Sequence, residues 1–270
     1  MAHLLLCGIP LGAPGWELDA VLFDKDGTIS HSEPMLQILA AERRRHCLQL
    51  AAPLLAKAAG LADLHDLLTR AYGIGADGMD PAGATAVACR EHNLIGTATA
   101  LAQVGLGWPD ALALSQQVFD LTDSLHGQGS EVRPQPTPGL ASLLASLSHA
   151  AIRCAVISND DEAGIRGFLA AHGLQEQIPW LWSADHRPQK PDPKAVHELC
   201  RQMGVAPHRC ALIGDANSDL RMARAAGVPV VLGYRSGWRQ PPPLEEEFPP
   251  IHHWSEIEVH EGPTPARNEH

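Results

Sequence analysis

The run Ala20-Val21-Leu22-Phe23-Asp24-Lys25-Asp26-Gly27-Thr28 sets how the rest of the chain is read. Four apolar residues stop abruptly at a polar turn, the pattern of a short buried strand rather than a helix. Downstream of the Pro-rich stretch Arg133–Pro138 the pattern recurs. Pro138 suits the first turn of a helix running to about Ser148. Strands are then expected at Ile152–Ser158, Trp180–Ser183, Cys210–Gly214 and Val228–Leu232, with helices at Glu162–His172 (closed by Gly173), Pro193–Met203 and Leu220–Ala226. All-apolar strands alternating with helices imply a parallel sheet covered on both faces. Ligands of such sheets bind beyond the carboxyl ends of the strands, so the residues after each strand carry the functional question.

Between Ser32 and Ser130 apolar residues recur at three- and four-residue spacing, in Met35–Leu39, Leu48–Leu55, Leu61–Leu68, Val87–Val104 and Ala111–Leu125. These predict amphipathic helices with no strand among them. The expected architecture is therefore α/β: a Rossmann-like three-layer core with a parallel sheet, built from 17–31 and 134–258, and an all-helical insert over 32–133. Residues 1–16 read as an N-terminal extension, Gln240–Pro250 as an exposed loop and 259–270 as a flexible tail.

Composition narrows the function classes. Twenty Lys and Arg against 31 Asp and Glu give a net charge of −11 over 270 residues. Nucleic acid or an anionic membrane would call for basic patches, so neither is expected as a partner. The six cysteines are scattered, with no CxxC pair, and read as small apolar fillers in a reducing compartment. The N-terminal run lacks a basic region and is broken early by Gly and Pro, and no stretch reaches the ~20 apolar residues of a membrane span. A cytoplasmic location is the expectation. Composition leaves the oligomeric state open.

Hydrophilic clusters follow three of the expected strands: Asp24-Lys25-Asp26-Gly27-Thr28 after Phe23, Ser158-Asn159-Asp160 after Ile157, and Gly214-Asp215-Ala216-Asn217-Ser218-Asp219 after Ile213. Lys190 lies between the last two in a proline-flanked loop. Any one Asp after a strand is as readily a turn former or a helix N-cap. A calcium loop with Asp24 at its third position puts Leu22 where the first carboxylate belongs, and a strand-like run where a helix should exit, so it fails. Convergence favours chemistry. Asp24, Asp215 and Asp219 offer hard oxygens to a divalent ion, while Lys190 and Ser158 offer a cation and a donor to a phosphoryl group.

The ordered set DKDGT, VISN, RPQKPDP and IGDANSD resembles the four motifs of the haloacid dehalogenase superfamily, in its magnesium-dependent phosphatase branch. The insert resembles that family's helical C1 cap. The segments His31-Ser32-Glu33-Pro34 and Lys190-Pro191-Asp192-Pro193 are similar to those of phosphoglycolate-phosphatase-like members. The resemblance implies a small phosphorylated metabolite as substrate and Mg2+ as cofactor. It implies Asp24 as nucleophile, Asp26 as general acid and then base, and Lys190 as the cation beside the transferring group. It further implies Ser158 and the Asn159 N–H as the phosphate cradle, and metal binding by Asp24, Asp215 and the backbone carbonyl of Asp26. Asp219 is implied to orient a metal-bound water. Lys25 is expected to point away from the site, and Thr28 to bond within its own turn.

In the insert, Arg90, His92 and Asn93 are the candidates for touching the leaving group, whereas Arg43-Arg44-Arg45 reads as a solvated helix face. Four chemistries share this kind of core. A dehalogenase needs neither Asp26 nor the downstream carboxylates, and their presence argues against it. A phosphonate hydrolase needs a cap lysine, for which Lys57 is the insert's single choice. A sugar-phosphate mutase keeps every motif and stays open; nothing supports the other alternative, a catalytically retired binding scaffold, because no chemical position is lost. Among substrates, phosphoglycolate, a sugar phosphate and a nucleotide all stay open.

Overall fold

The structure, a computed structural model, describes residues 2–55, 58–126 and 132–262. Lys57 lies outside them. The chain runs through strands β1 (Ala2–Leu6), β2 (Ile9–Pro10), β3 (Ala20–Phe23) and β4 (Ser30–His31), then helices α1 (Glu33–Ala51) and α2 (Ala58–Ala71). A two-residue pair, β5 (Ile74–Gly75) and β6 (Gly78–Met79), precedes helices α3 (Ala84–Val87), α4 (Arg90–Gln103) and α5 (Trp108–His126). The remainder alternates: β7 (Gln135–Pro136), α6 (Leu140–His149), β8 (Arg153–Ile157), α7 (Glu162–Ala171), β9 (Trp180–Trp182), α8 (Pro193–Met203), β10 (Cys210–Gly214), α9 (Asn217–Ala225), β11 (Val230–Tyr234), β12 (Pro250–Ile251) and β13 (Ile257–Glu261).

Two compact units result. One comprises Met1–His31, Gln135–Gly237 and Pro241–His270; the other comprises Ser32–Pro134 and Trp238–Gln240. The first holds a six-stranded parallel sheet in the order β12-β11-β10-β3-β8-β9. Strand alternation divides its side chains cleanly. Val21, Phe23, Cys154, Val156, Ala211 and Ile213 pack with α6 and α7. Ala20, Leu22, Ala155, Ile157 and Leu212 pack with α8 and α9. Both faces are thus dry, which is why these strands read as unbroken apolar runs. Each fully buried aliphatic side chain contributes about 1.5–3 kcal/mol.

The expected extension and tail are structured where described. β1 pairs antiparallel with β13, from Ala2↔Glu261 to Leu6↔Ile257, and with β2. Residues 259–261 therefore belong to a strand: Ile257 is buried and Val259 packs on the same apolar cluster, a period-2 pattern that a terminal position masks. The loop 240–250 is also anchored, because Leu244 and Phe248 are buried against the α8–α9 face. Pro138 precedes its helix rather than opening it, and Gly139 is the N-cap.

The second unit packs helices α1, α2, α4 and α5 around Leu36, Ala40, Leu64, Leu68, Leu94, Leu101, Leu114 and Phe119. Three expectations need correction there. A short antiparallel pair, β5–β6, interrupts the helices. The helix expected over Val87–Val104 is broken, because Ala88 and Cys89 are extended and α4 starts at Arg90. Asn93 Nδ2 holds that break by donating to the carbonyls of Ala84, Ala88 and Cys89 at 3.0–3.1 Å. Arg43 is buried rather than solvated, with its guanidinium 4.1 Å from the Phe119 ring centroid.

Among the described residues no helix is long and apolar enough to cross a membrane. Five of the six cysteines are buried as fillers, but Cys7 is exposed. Close backbone contact fixes the turn after β3. A Cβ built on Gly237 would lie 1.7 Å from the Gly27 carbonyl oxygen. Gly237→Ala must therefore displace backbone, and it is expected to lose about 1–3 kcal/mol or more. Chemical denaturation reads this as a lower midpoint at unchanged slope; an unaltered midpoint refutes the contact.

Candidate active site

Parallel pairing aligns the ends of three strands. Ile213 and Val156 flank Phe23 in register, so the residues following β3, β8 and β10 emerge side by side. Asp24 is fixed there by its N–H donating to the Ile213 carbonyl at 2.9 Å. Ser158 is held from the other side by its N–H donating to the Trp182 carbonyl at 2.9 Å. Asp215 follows Gly214 directly, and Asp219 stands in the first turn of α9, where the helix N-terminus favours negative charge.

Lys190 ties these ends together. Its ammonium donates to Asp24 Oδ1 at 2.6 Å and to the Ile157 carbonyl at 3.2 Å, and it lies 3.0 Å from Asp219 Oδ1. A lysine has three N–H donors, and all three have a partner. Lys190, Asp24, Asp215 and Asp219 are all buried. Burial alone disfavours the charged amine, but Asp219 and Asp24 outweigh it and push the Lys190 pKa above the ordinary lysine value. The ammonium is the stable form of this side chain throughout the physiological range.

Carboxylate oxygens of Asp24, Asp215 and Asp219 lie within 4.8 Å of one another. Three buried carboxylates against one ammonium concentrate an excess of acidic groups in this site. A divalent cation closes that imbalance, and hard oxygen donors suit Mg2+. The residues therefore fit the ion that the sequence implied. Asp219, expected only to orient a water, offers an oxygen inside this triplet as well as its contact with Lys190. Burial pushes the Asp219 carboxyl up to about 6, with Lys190 pulling down and Asp24 adding to the rise.

Asp26 stands apart from the triplet. Its Oδ1 is 2.7 Å from the Lys25 ammonium, which also reaches Asp160 Oδ2 at 2.8 Å. Lys25 is only 3% exposed, and although it was expected to point away from the site its ammonium contacts the Asp26 carboxylate. Burial opposes its charge, and the fields of Asp26 and Asp160 more than restore it. Thr28 also differs from expectation: its Oγ1 donates to Asp215 Oδ1 at 2.8 Å. The adjacency of β3 and β10 brings residues so distant in sequence together. The turn is braced behind by Thr137, whose Oγ1 donates to the Thr28 carbonyl at 2.8 Å and accepts from Trp254 Nε1 at 2.8 Å.

Ser158 is buried, and its Oγ accepts the Asp160 N–H at 3.1 Å; Asn159 beside it is half-buried. In the helical unit, Arg90 and Asn93 are engaged locally. Arg90 bonds Asp123 at 2.6 Å and Asp120 at 3.0 Å, both on α5. Asn93 holds the α3–α4 break described above. His92 is exposed and lines a surface depression with Leu67, Ile95 and Gln103.

A parallel sheet with a buried lysine and acidic residues at its strand ends defines an enzyme site suited to transfer of an anionic group. The chain belongs to the haloacid dehalogenase-like hydrolases, whose family pattern it matches over residues 18–227. It is 33% identical over 218 residues to a phosphoglycolate phosphatase of Rhodospirillum rubrum, covering 79% of this chain and 78% of that protein. It is 29% identical over 140 residues to a phosphoglycolate phosphatase of Pseudomonas putida, spanning about half the length of each. Its fold is similar to that of a subfamily IA hydrolase from Geobacter sulfurreducens, with TM-score 0.53, 18% identity, and coverage of 91% and 97% of the two chains.

The raised Asp219 pKa fixes a sign. Protonated Asp219 is favoured below about pH 6, and a divalent cation competes with that proton. Mg2+ affinity is therefore expected to rise with pH through this range and to be about tenfold weaker at pH 5 than at pH 7. Titration calorimetry across that range checks it, and Asp219→Asn should flatten the profile. A flat profile in the unaltered protein refutes the assignment.

Proposed function

We propose that this chain is an Mg2+-dependent phosphomonoester hydrolase that acts on a small phosphorylated metabolite through an aspartyl phosphate on Asp24. The observation that carries this reading is the buried contact of Lys190 with Asp24 Oδ1 at 2.6 Å, in a site with two further carboxylates. A buried carboxylate facing an incoming phosphate would repel it by several kcal/mol at an effective dielectric of ~20. Lys190 offsets one charge and leaves the other Asp24 oxygen to attack phosphorus in line. Mg2+, when held by Asp24, Asp215 and either Asp219 or the Asp26 carbonyl, would supply the remaining positive charge near the phosphoryl oxygens.

In this reading Asp26 gives a proton to the departing oxygen and then takes one from the water that hydrolyses the aspartyl phosphate. Ser158 and the Asn159 N–H hold the phosphoryl oxygens at the end of β8. Phosphoglycolate is the first substrate to test. Two relatives that carry that activity in their names support it, one of them aligned over most of both chains.

A panel of phosphoglycolate, sugar phosphates, nucleotides and an aryl phosphate, each with and without Mg2+, tests the reading. Phosphate release is expected with Mg2+ and should be lost on chelation. Asp24→Asn should lose about 10^4-fold or more in kcat, and Asp26→Asn about 10^2–10^4-fold. Release of phosphate that survives Asp24→Asn refutes the nucleophile. Isomerised sugar phosphate without phosphate release would show a mutase instead.

A further inference from the structure

Asp26 has two carboxylate oxygens and a free choice of side-chain rotamers unless something holds it. One of the groups that hold it is Lys25, which is buried although the alternation of the chain would send it outward. Its ammonium lies 2.7 Å from Asp26 Oδ1 and 2.8 Å from Asp160 Oδ2. Asp160 is itself fixed. Its Oδ1 accepts the Asp161 N–H at 2.9 Å, and its carbonyl accepts the Ala184 N–H at 2.8 Å. Room for its carboxylate comes from Gly164, where any Cβ would fall 2.5 Å from Asp160 Oδ2. The Phe168 ring stands 6.0 Å from the ammonium and closes the apolar side.

We propose that Lys25 and Asp160 form a positioning pair that holds the Asp26 carboxylate where it exchanges a proton with the leaving oxygen. The inference rests on the phosphatase reading and deepens it. Proton transfer is efficient only from a group held within hydrogen-bond reach, and the ion pair removes the rotamers that would take Asp26 elsewhere. Asp160 keeps the ammonium from moving toward the negative triplet of Asp24, Asp215 and Asp219. Lys25 is thus a positioning residue: it acts through Asp26.

A merely structural lysine and a positioning lysine differ in how their loss depends on the leaving group. An alkoxide must be protonated as it departs, whereas a nitrophenolate leaves without help. In Lys25→Met, kcat for phosphoglycolate is expected to fall about 10–100-fold with KM within about threefold. The first-turnover burst of nitrophenolate from p-nitrophenyl phosphate should stay within about threefold. Asp160→Asn should give the same pattern, more weakly, and serves if Lys25→Met does not fold. Equal losses on both esters, or no loss on either, overturn the proposal.

Crystal structures of the two variants give a readout independent of turnover. The Asp26 carboxylate is expected to leave its present position, and an unmoved carboxylate in both variants overturns the proposal. If the unaltered protein releases phosphate from neither ester, the phosphatase reading fails, and the crystallographic comparison still decides whether Lys25 positions Asp26.

Discussion

The contact on which the site depends is a buried ammonium shared by two carboxylates and a carbonyl. Lys190 meets Asp24, Asp219 and Ile157 from a loop outside the strands. Removing one partner of a buried ion pair typically costs about 3–5 kcal/mol, because the other charge is stranded. The packed sheet makes that charge density affordable. Phe23, Ile157 and Ile213 are fully buried immediately before the polar residues begin, so the backbone that carries the site is fixed by dry packing on both faces. Charges that would scatter on a flexible loop are held within one small volume.

A second buried lysine, Lys25, has different partners. Lys190 faces Asp24 and Asp219, and Lys25 faces Asp26 and Asp160. Each ammonium therefore serves a separate carboxylate pair, and the two Asp residues of the DKDGT segment are placed in different electrostatic surroundings. Asp24 shares its cation with the acidic triplet that suits a metal ion, while Asp26 is held outside that triplet. Such a separation supports the opposite roles proposed for these two like residues, one attacking and one transferring protons.

Much of this was legible in the sequence, for physical reasons. Strands buried on both faces must be apolar throughout, so Ala20–Phe23 and Cys210–Gly214 stood out. Polar residues immediately after them marked the strand ends. Outside the four motifs, features that depend on a partner far along the chain could not be read. Lys25 reads as a bystander and Arg43 as solvated until Asp160 and Phe119 are placed beside them. Thr28 was expected to bond locally, because its partner Asp215 is 187 residues away. The strand at Ile257–Glu261 was hidden by its place near the end of the chain, since its pairing partner is the opposite terminus. The break before Arg90 depends on one side chain, Asn93, covering three carbonyls, and apolar periodicity carries no such signal.

Net charge and local charge point the same way. A chain at −11 repels a phosphorylated anion at long range, and the triplet of Asp24, Asp215 and Asp219 adds to this at contact distance. Salt screens the first effect beyond about 8–10 Å, but not the second, because buried charges see little solvent. Binding an anion here therefore requires positive charge inside the site itself. Lys190 supplies one unit and is already bonded to three acceptors, which leaves a divalent ion on the triplet as the natural source of the rest. In the proposed reading the acidic cluster recruits that charge, beside the carboxylate assigned there to attack phosphorus.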